Sequence, residues 1–171
     1  MLNRINKFIN TQSTNFPNRQ QGFQLDLSCL TAAFNLQETV YYNTERQSDI
    51  YIARLDQRAA FDTVRFDAML LKLGRLGLSC AFLRIIQASY TDLKSVVRVA
   101  SSTSGPFDVV RGVRQGGVVS PFLYLVNVND LLNDLEASQN GAKVMSVNTE
   151  NPTFADDILL LALSPTTFRK W

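Results

Sequence analysis

The 171-residue chain contains no histidine. That absence removes Ser-His and Cys-His nucleophile systems and every histidine-ligated zinc site. Cysteine is scarce: Cys29 and Cys80 stand far apart without a partner motif, which excludes a disulfide scaffold and predicts two buried, reduced thiols. No run approaches the roughly 20 apolar residues of a membrane span. The opening MLNRINKFIN lacks the apolar core of a signal peptide, so an intracellular protein is expected. A net charge of only +2 makes no strong case for a polyanionic partner by itself.

What is present is a globular composition, 46% apolar with 11 phenylalanines and 5 tyrosines, in a length suited to one domain. Charge is uneven. Up to Arg114 there are 14 basic and 9 acidic residues; from Gln115 onward there are 3 and 6. Two solvated faces would give the same split, as would a polyanion grip followed by a metal-binding cluster. Residues 28–42 place Leu30, Ala33, Phe34 and Tyr41 near helical spacing. DIYIARLD (49–56) reads as a buried strand. Phe66, Met69, Leu70 and Leu73 predict a helix closed by Gly74 and Gly77, and Ser79 caps another with Phe82, Ile85 and Ile86 inward. SVVRVA (95–100) and PFDVVR (106–111) predict a hairpin joined by SSTSG. Ser120-Pro121 opens a helix carrying Tyr124, Val128, Leu131, Leu132 and Leu135, ended by Gln139-Asn140-Gly141. AKVMSV (142–147) and TFADDILLLAL (153–163) are two further strand-like runs. The mixture lacks regular βαβ alternation, so the predicted class is α+β, an antiparallel sheet with helices packed on one face.

Asp156-Asp157 is the chemical anomaly. Alone, such a pair is most often a solvated turn; inside FADDILLLAL it either turns the chain or faces a cation, because buried unpaired charge is costly. Asp56 ends the apolar strand, where an acidic residue is commonly a helix cap or a salt-bridge partner. Hard divalent ions take carboxylate oxygens. Two such ions about 4 Å apart can clamp a phosphoryl displacement without any histidine. Asp56, Asp156 and Asp157 supply that donor set if their strands are neighbours.

RLDQRAAFDTVRFDAMLLKL (54–73) resembles motif A of non-LTR (LINE-type) and group II intron-like reverse transcriptases. GVRQGGVVSPFLYLVNVNDLL (112–132) is similar to motif B, and FADDILLLA (154–162) to motif C. RQQGF (19–23) more weakly resembles the fingers segment Gln-x-Gly-Phe-Arg. The three strong blocks occur in family order and span about 49–163. The resemblance implies a polymerase palm-like fold with partial fingers, residues 1–48 being fingers and 49–171 palm. It implies an RNA-directed DNA polymerase using deoxynucleoside triphosphates, an RNA template and a DNA primer, for retrotransposition. Asp56, Asp156 and Asp157 are the implied catalytic residues and ligands of two Mg²⁺, with Mn²⁺ as substitute; Asp157 is the carboxylate adjacent to the Asp156 ligand. Phe61 matches the aromatic beneath the sugar that excludes a 2′-hydroxyl, with an ordinary core phenylalanine as its alternative. Gln115 and Gly116 match the turn that lines the nucleotide pocket. Arg114 contacts template or triphosphate, or is a surface arginine. Asp62 reads as structural, a helix cap. The resemblance also implies nuclear action.

The chain departs from the family pattern in the fingers, where Gln24 and Leu27 replace two arginines thought to hold the triphosphate. Motif A carries Gln57-Arg58 in place of an aromatic or aliphatic residue and a small polar one. The expected thumb and the primer-holding segments would follow Trp171, and an endonuclease domain would precede Met1. A truncated fragment is therefore expected, weakly active or inactive alone. The alternatives are a catalytically inactive remnant that keeps only its fold and nucleic-acid or partner binding, or an unrelated α+β domain with an incidental Asp-Asp turn.

Overall fold

In the computed structural model, the described residues are 19–24, 26–138 and 140–170. The opening MLNRINKFIN and Gln139 lie outside them. The chain divides into two compact units, a division by compactness rather than by the expected fingers and palm segments. One comprises the described residues up to Arg58 and from Val128 on, and is called here the sheet unit; the other, Ala59–Asn127, is the helical unit.

The sheet unit begins with helix α1, Cys29–Glu45, started by a reciprocal capping box in which the Ser28 and Thr31 side chains bond each other's backbone amides. The helix forms as expected, but its faces are reversed. Thr39 and Asn43 are buried, while Leu30 (79% exposed), Ala33, Phe34 and Tyr41 face out. Thr39 and Asn43 satisfy their polar groups by donating to the carbonyls of Asn35 and Thr39 one turn back. That makes their burial tolerable.

Strand β1, Tyr51–Asp56, is largely exposed, not the buried strand expected. It forms one edge of a three-stranded antiparallel sheet, so one side has no neighbouring strand to cover it. Its partner β9, Asp157–Ala162, is central, and Ile158, Leu160, Leu161 and Ala162 are buried there. The third strand, β8, is Thr153–Phe154. TFADDILLLAL is therefore a hairpin, β8-turn-β9, rather than one strand. AKVMSV likewise folds back on itself: β6, Lys143–Val144, pairs with β7, Val147–Asn148. Helix α1 packs against β6 and β8.

The helical unit holds α2, Phe66–Arg75, and α3, Cys80–Tyr90, packed together. Met69 and Leu73 are fully buried, and Ser79 caps α3 by accepting from the Phe82 amide. Ile86 points inward as expected; Ile85 is exposed. The expected hairpin forms as two nested ladders. β2, Lys94–Ser95, pairs with β5, Phe107–Asp108, and between them β3, Arg98–Val99, pairs with β4, Ser102–Thr103. The inner turn is Ala100-Ser101, earlier than SSTSG. Helix α4, Ser120–Ser138, carries buried Tyr124, Val128, Leu132 and Leu135, with Leu131 exposed; the division between units falls inside it. Cys29 and Cys80 are free, but both are exposed rather than buried, because each opens a helix at the surface.

Candidate active site

In the sheet unit the β1–β9 register sets Asp56 opposite Asp157. Residues facing each other across an antiparallel pair project to the same face. Asp156 lies one residue back, in the two-residue Ala155-Asp156 turn between β8 and β9. The Asp-Asp pair thus does both things its setting allowed: it turns the chain and it faces a cation.

That cation is Arg54. Residues two apart on a strand share a face, so Arg54 lies beside Asp56. Its Nη2 is 2.7 Å from Asp157 Oδ1 and 3.7 Å from Asp56 Oδ1. The hydrogen bond to Asp157 is the largest cause of an upward shift of the Arg54 pKa, followed by the charges of Asp157 and Asp56 and, more weakly, Asp156. All three aspartates therefore act on one guanidinium. The donor set is all carboxylate oxygen, which suits a hard divalent ion, and a positive charge already sits where two of them meet. Among the described residues no three acidic, histidine or cysteine side chains gather closely enough to hold a metal ion together.

Sequence reasoning missed the support of this turn. Gln20 is fully buried. Its Oε1 accepts from the amides of Ala155 and Gly22, both at 2.8 Å, and its Nε2 donates to the Ala155 carbonyl at 2.9 Å. Residues 19–21 run alongside β8, with Thr153 N donating to Arg19 O and Gln21 N to Thr153 O. Gly22 is required for this approach, since a Cβ there would sit 2.3 Å from the Ala155 nitrogen. Gln24, at one of the lost arginine positions, folds back to donate to the Gln20 carbonyl. Nothing local could have signalled the bonds from Gln20 to Ala155, because those partners are 135 residues apart. Arg54 was more accessible: strand periodicity alone places it on the face of Asp56.

Beside the turn lies a buried polar network. Arg19 donates to Glu150 Oε1 at 2.9 Å and to Asn151 Oδ1 at 2.7 Å. Glu150, with its side chain fully inaccessible, also accepts from Gly141 N and Asn148 Nδ2.

In the helical unit the motif A and motif B segments meet. Val113 N donates to Phe61 O at 2.8 Å, and Gly112 N to Val64 O at 2.7 Å. The Phe61 ring stacks on the buried Tyr124 ring at 4.9 Å and 10°. Asp62 is not a helix cap. Helix α2 starts after Arg65, and the exposed Asp62 carboxylate instead accepts from Gln115 Nε2 at 3.3 Å. A cavity of about 320 Å³ is lined by Asp62, Lys94, Arg111, Gly112, Arg114 and Gln115. Its three cations against one acid suit an anionic guest, and Lys94 and Arg111 were not foreseen as lining residues. Arg114 also donates to Ser89 O and lies over the Tyr90 ring. Gly116 has φ 79°, a left-handed turn position that suits glycine.

An antiparallel sheet ending in a carboxylate-bearing hairpin turn, with helix α1 packed against β8, fits the palm-like fold of template-copying polymerases. The solved structures agree on the fold. Apo telomerase from Candida tropicalis superposes with a TM-score of 0.68 at 10% identity, over 99% of this chain and 32% of that one. Candida albicans telomerase, solved with a fragment of telomeric RNA, gives 0.63 at 13% identity, over 96% and 30%. The chain belongs to the reverse transcriptase (RNA-dependent DNA polymerase) family, whose description matches residues 1–170. Its relatives are polyproteins of non-LTR retrotransposons. It is 29% identical to the Pol polyprotein of type-2 retrotransposable element R2DM of Drosophila melanogaster, over 95% of this chain and 16% of that protein. Identity to the Pol polyprotein of type-1 retrotransposable element R2 of Popillia japonica is 30%, over 86% and 22%. The chain thus spans about a fifth or less of the length of these relatives in one case and little more in the other. Dependence on divalent metal is general to the family.

Proposed function

We propose that this chain is the palm, with part of the fingers, of an RNA-directed DNA polymerase that extends a DNA primer with deoxynucleotides on an RNA template during retrotransposition. The observation that carries the reading is the placement of Asp56 opposite Asp157, with Asp156 in the adjoining turn and Arg54 against Asp157 and Asp56. Asp56 and Asp156, with Asp157, would hold two Mg²⁺ or Mn²⁺. Those ions, when bound, supply the charge neutralisation that phosphoryl transfer needs. Among the residues themselves, Asp56 and Asp157 orient through the strand ladder, and Asp156 through its turn. Phe61, held against Tyr124, is rigid enough to reject a 2′-hydroxyl by shape. Gln115, Gly116 and Arg114 serve the nucleotide and template, and the cations Lys94 and Arg111 suit phosphate. On this reading residues 1–48 are fingers and 49–171 palm, and the element acts in the nucleus.

A second reading, a remnant that keeps its fold and nucleic-acid binding without catalysis, is favoured by one specific feature. Gln24 and Leu27 stand where the family pattern has arginines, and Gln24 is turned inward to Gln20. Loss of a triphosphate grip weakens positioning and charge stabilisation together, and a misplacement of about 1 Å can cost roughly a hundredfold in rate. Primer extension on an RNA template with Mg²⁺ and four deoxynucleotides tests both readings, with Asp156→Asn as control and the longer parent protein alongside. The expected result is extension by the parent and near-background activity from this chain alone. No Asp156-dependent extension by either would favour the remnant. Phe61→Ala in the active parent should raise ribonucleotide incorporation; an unchanged ratio would return Phe61 to the core.

A further inference from the structure

The turn that carries Asp156 has an unfavourable backbone. Ala155 has φ 57°, in the left-handed region, where a Cβ crowds the following carbonyl at a cost that glycine avoids. Such a conformation persists only when its surroundings over-determine it. The β8–β9 ladder closes the turn around it, and one side chain grips both of its backbone polar groups. The Gln20 carboxamide is the partner of both the Ala155 N–H and the Ala155 C=O. Two amide donors on one side and a carbonyl on the other also fix which end of the carboxamide is oxygen. The Ala155 carbonyl shares a rigid plane with the Asp156 amide. Gripping that oxygen therefore sets the direction in which Asp156 leaves the turn. Gln20 is in turn anchored by the 19–21 backbone alongside Thr153.

We propose that Gln20 is a positioning residue for the carboxylate turn: it holds Ala155 in its left-handed conformation and thereby aims Asp156 and Asp157 for divalent-cation binding. The inference rests on the reading of those aspartates as metal ligands. Gln20 touches no substrate; it acts through the backbone of the residue before the carboxylates. Outer partners that orient ligands in this manner typically alter metal affinity by roughly 10–100-fold when removed.

The test uses the whole 171-residue chain with Mn²⁺ alone as the probe, following free Mn²⁺ by electron paramagnetic resonance. Wild type is compared with Asp56→Asn, Asp156→Asn, Gln20→Met and Thr39→Val. Gln20→Met keeps the length of the side chain and removes all three hydrogen bonds. Thr39→Val deletes a buried hydroxyl that donates within α1, to the Asn35 carbonyl, and serves as a stability control. The expected result is Mn²⁺ binding that both aspartate variants abolish and that Gln20→Met weakens by roughly 10–100-fold. Amide exchange should quicken at Ala155 while α1 keeps its protection. Thr39→Val should lower the melting temperature without changing Mn²⁺ affinity. If Gln20→Met does not fold, Gln20→Asn, whose neutral carboxamide ends one methylene short of the Ala155 backbone, takes its place and should weaken binding likewise. Wild-type Mn²⁺ affinity in whichever Gln20 variant folds, with the aspartate variants still abolishing binding, would overturn the positioning role alone. Binding insensitive to Asp56→Asn and Asp156→Asn would overturn the carboxylate reading, and this inference with it.

Discussion

Both units have an apolar core, but they differ in how much polar side chain they bury beside it. In the helical unit the fully buried side chains are apolar or aromatic, with Met69, Leu73, Leu123 and Tyr124 at the centre, and its side-chain ion pairs are exposed. In the sheet unit Gln20, Gln21, Thr39, Asn43, Glu150, Asn151 and Thr153 are all buried, many of them joined across more than a hundred residues of sequence. Apolar packing is non-directional and tolerates exchange of like for like. Buried hydrogen bonds fix orientation, and they penalise the loss of one partner more than they reward the pair. The unit that carries the carboxylates is therefore the one built for direction.

The largest expected effect tests that contrast directly. Glu150→Ala removes the buried carboxylate from Arg19, whose side chain is only 13% exposed, and leaves it Asn151 and the exposed Glu136. Removing one member of a buried pair typically costs about 3–5 kcal/mol. Urea unfolding should show a loss of that order, and pairing the change with Arg19→Met should recover part of it. A loss no larger than that of a surface substitution would dissolve the comparison. Leu73→Ala in the helical unit should cost about 2–5 kcal/mol by opening a cavity, whereas Leu73→Met should cost less than about 1.5 kcal/mol. Equal losses from the two changes would show that this core, too, is specified in detail.

A smaller effect is expected at Arg54. On the proposed reading its guanidinium would compete with a metal for Asp56 and Asp157, which it contacts at 3.7 and 2.7 Å. Arg54→Gln should therefore tighten Mn²⁺ binding, by about tenfold or less, since each tenfold is 1.4 kcal/mol and exposed pairs contribute no more than about 1 kcal/mol. Weaker binding in this variant would make Arg54 a support rather than a competitor. The smallest effect is at exposed Asp67, whose pKa is lowered chiefly by its hydrogen bond from Arg65 and then by a backbone amide at the start of α2. Because the folded value lies below the unfolded one, its contribution is present above the unfolded carboxylate range and is lost as pH falls through the folded value. Arg65→Ala should raise the Asp67 midpoint in an NMR titration; an unmoved midpoint would assign the shift to the helix start instead.

Local rules in the sequence determined a good deal. Ser28 and Ser79 lie next to the helices they cap, the Met69–Leu73 spacing encodes the α2 face, and Ser120-Pro121 begins α4, because caps and periodicity act within a turn or two of chain. The motif blocks named the family and the aspartates for the same reason: each is contiguous. What tertiary structure decided was everything set by the neighbours an element meets. It turned the apolar residues of α1 outward and buried Thr39 and Asn43, left β1 at a sheet edge and Cys29 and Cys80 at the surface, and folded AKVMSV and TFADDILLLAL into hairpins. It also chose Asp157 as the residue facing Asp56, placed Arg54 between them, and brought Gln20 across 135 residues to hold the turn. Strand register and buried hydrogen-bond partners are properties of pairs distant in sequence, so no single stretch of the chain contains them.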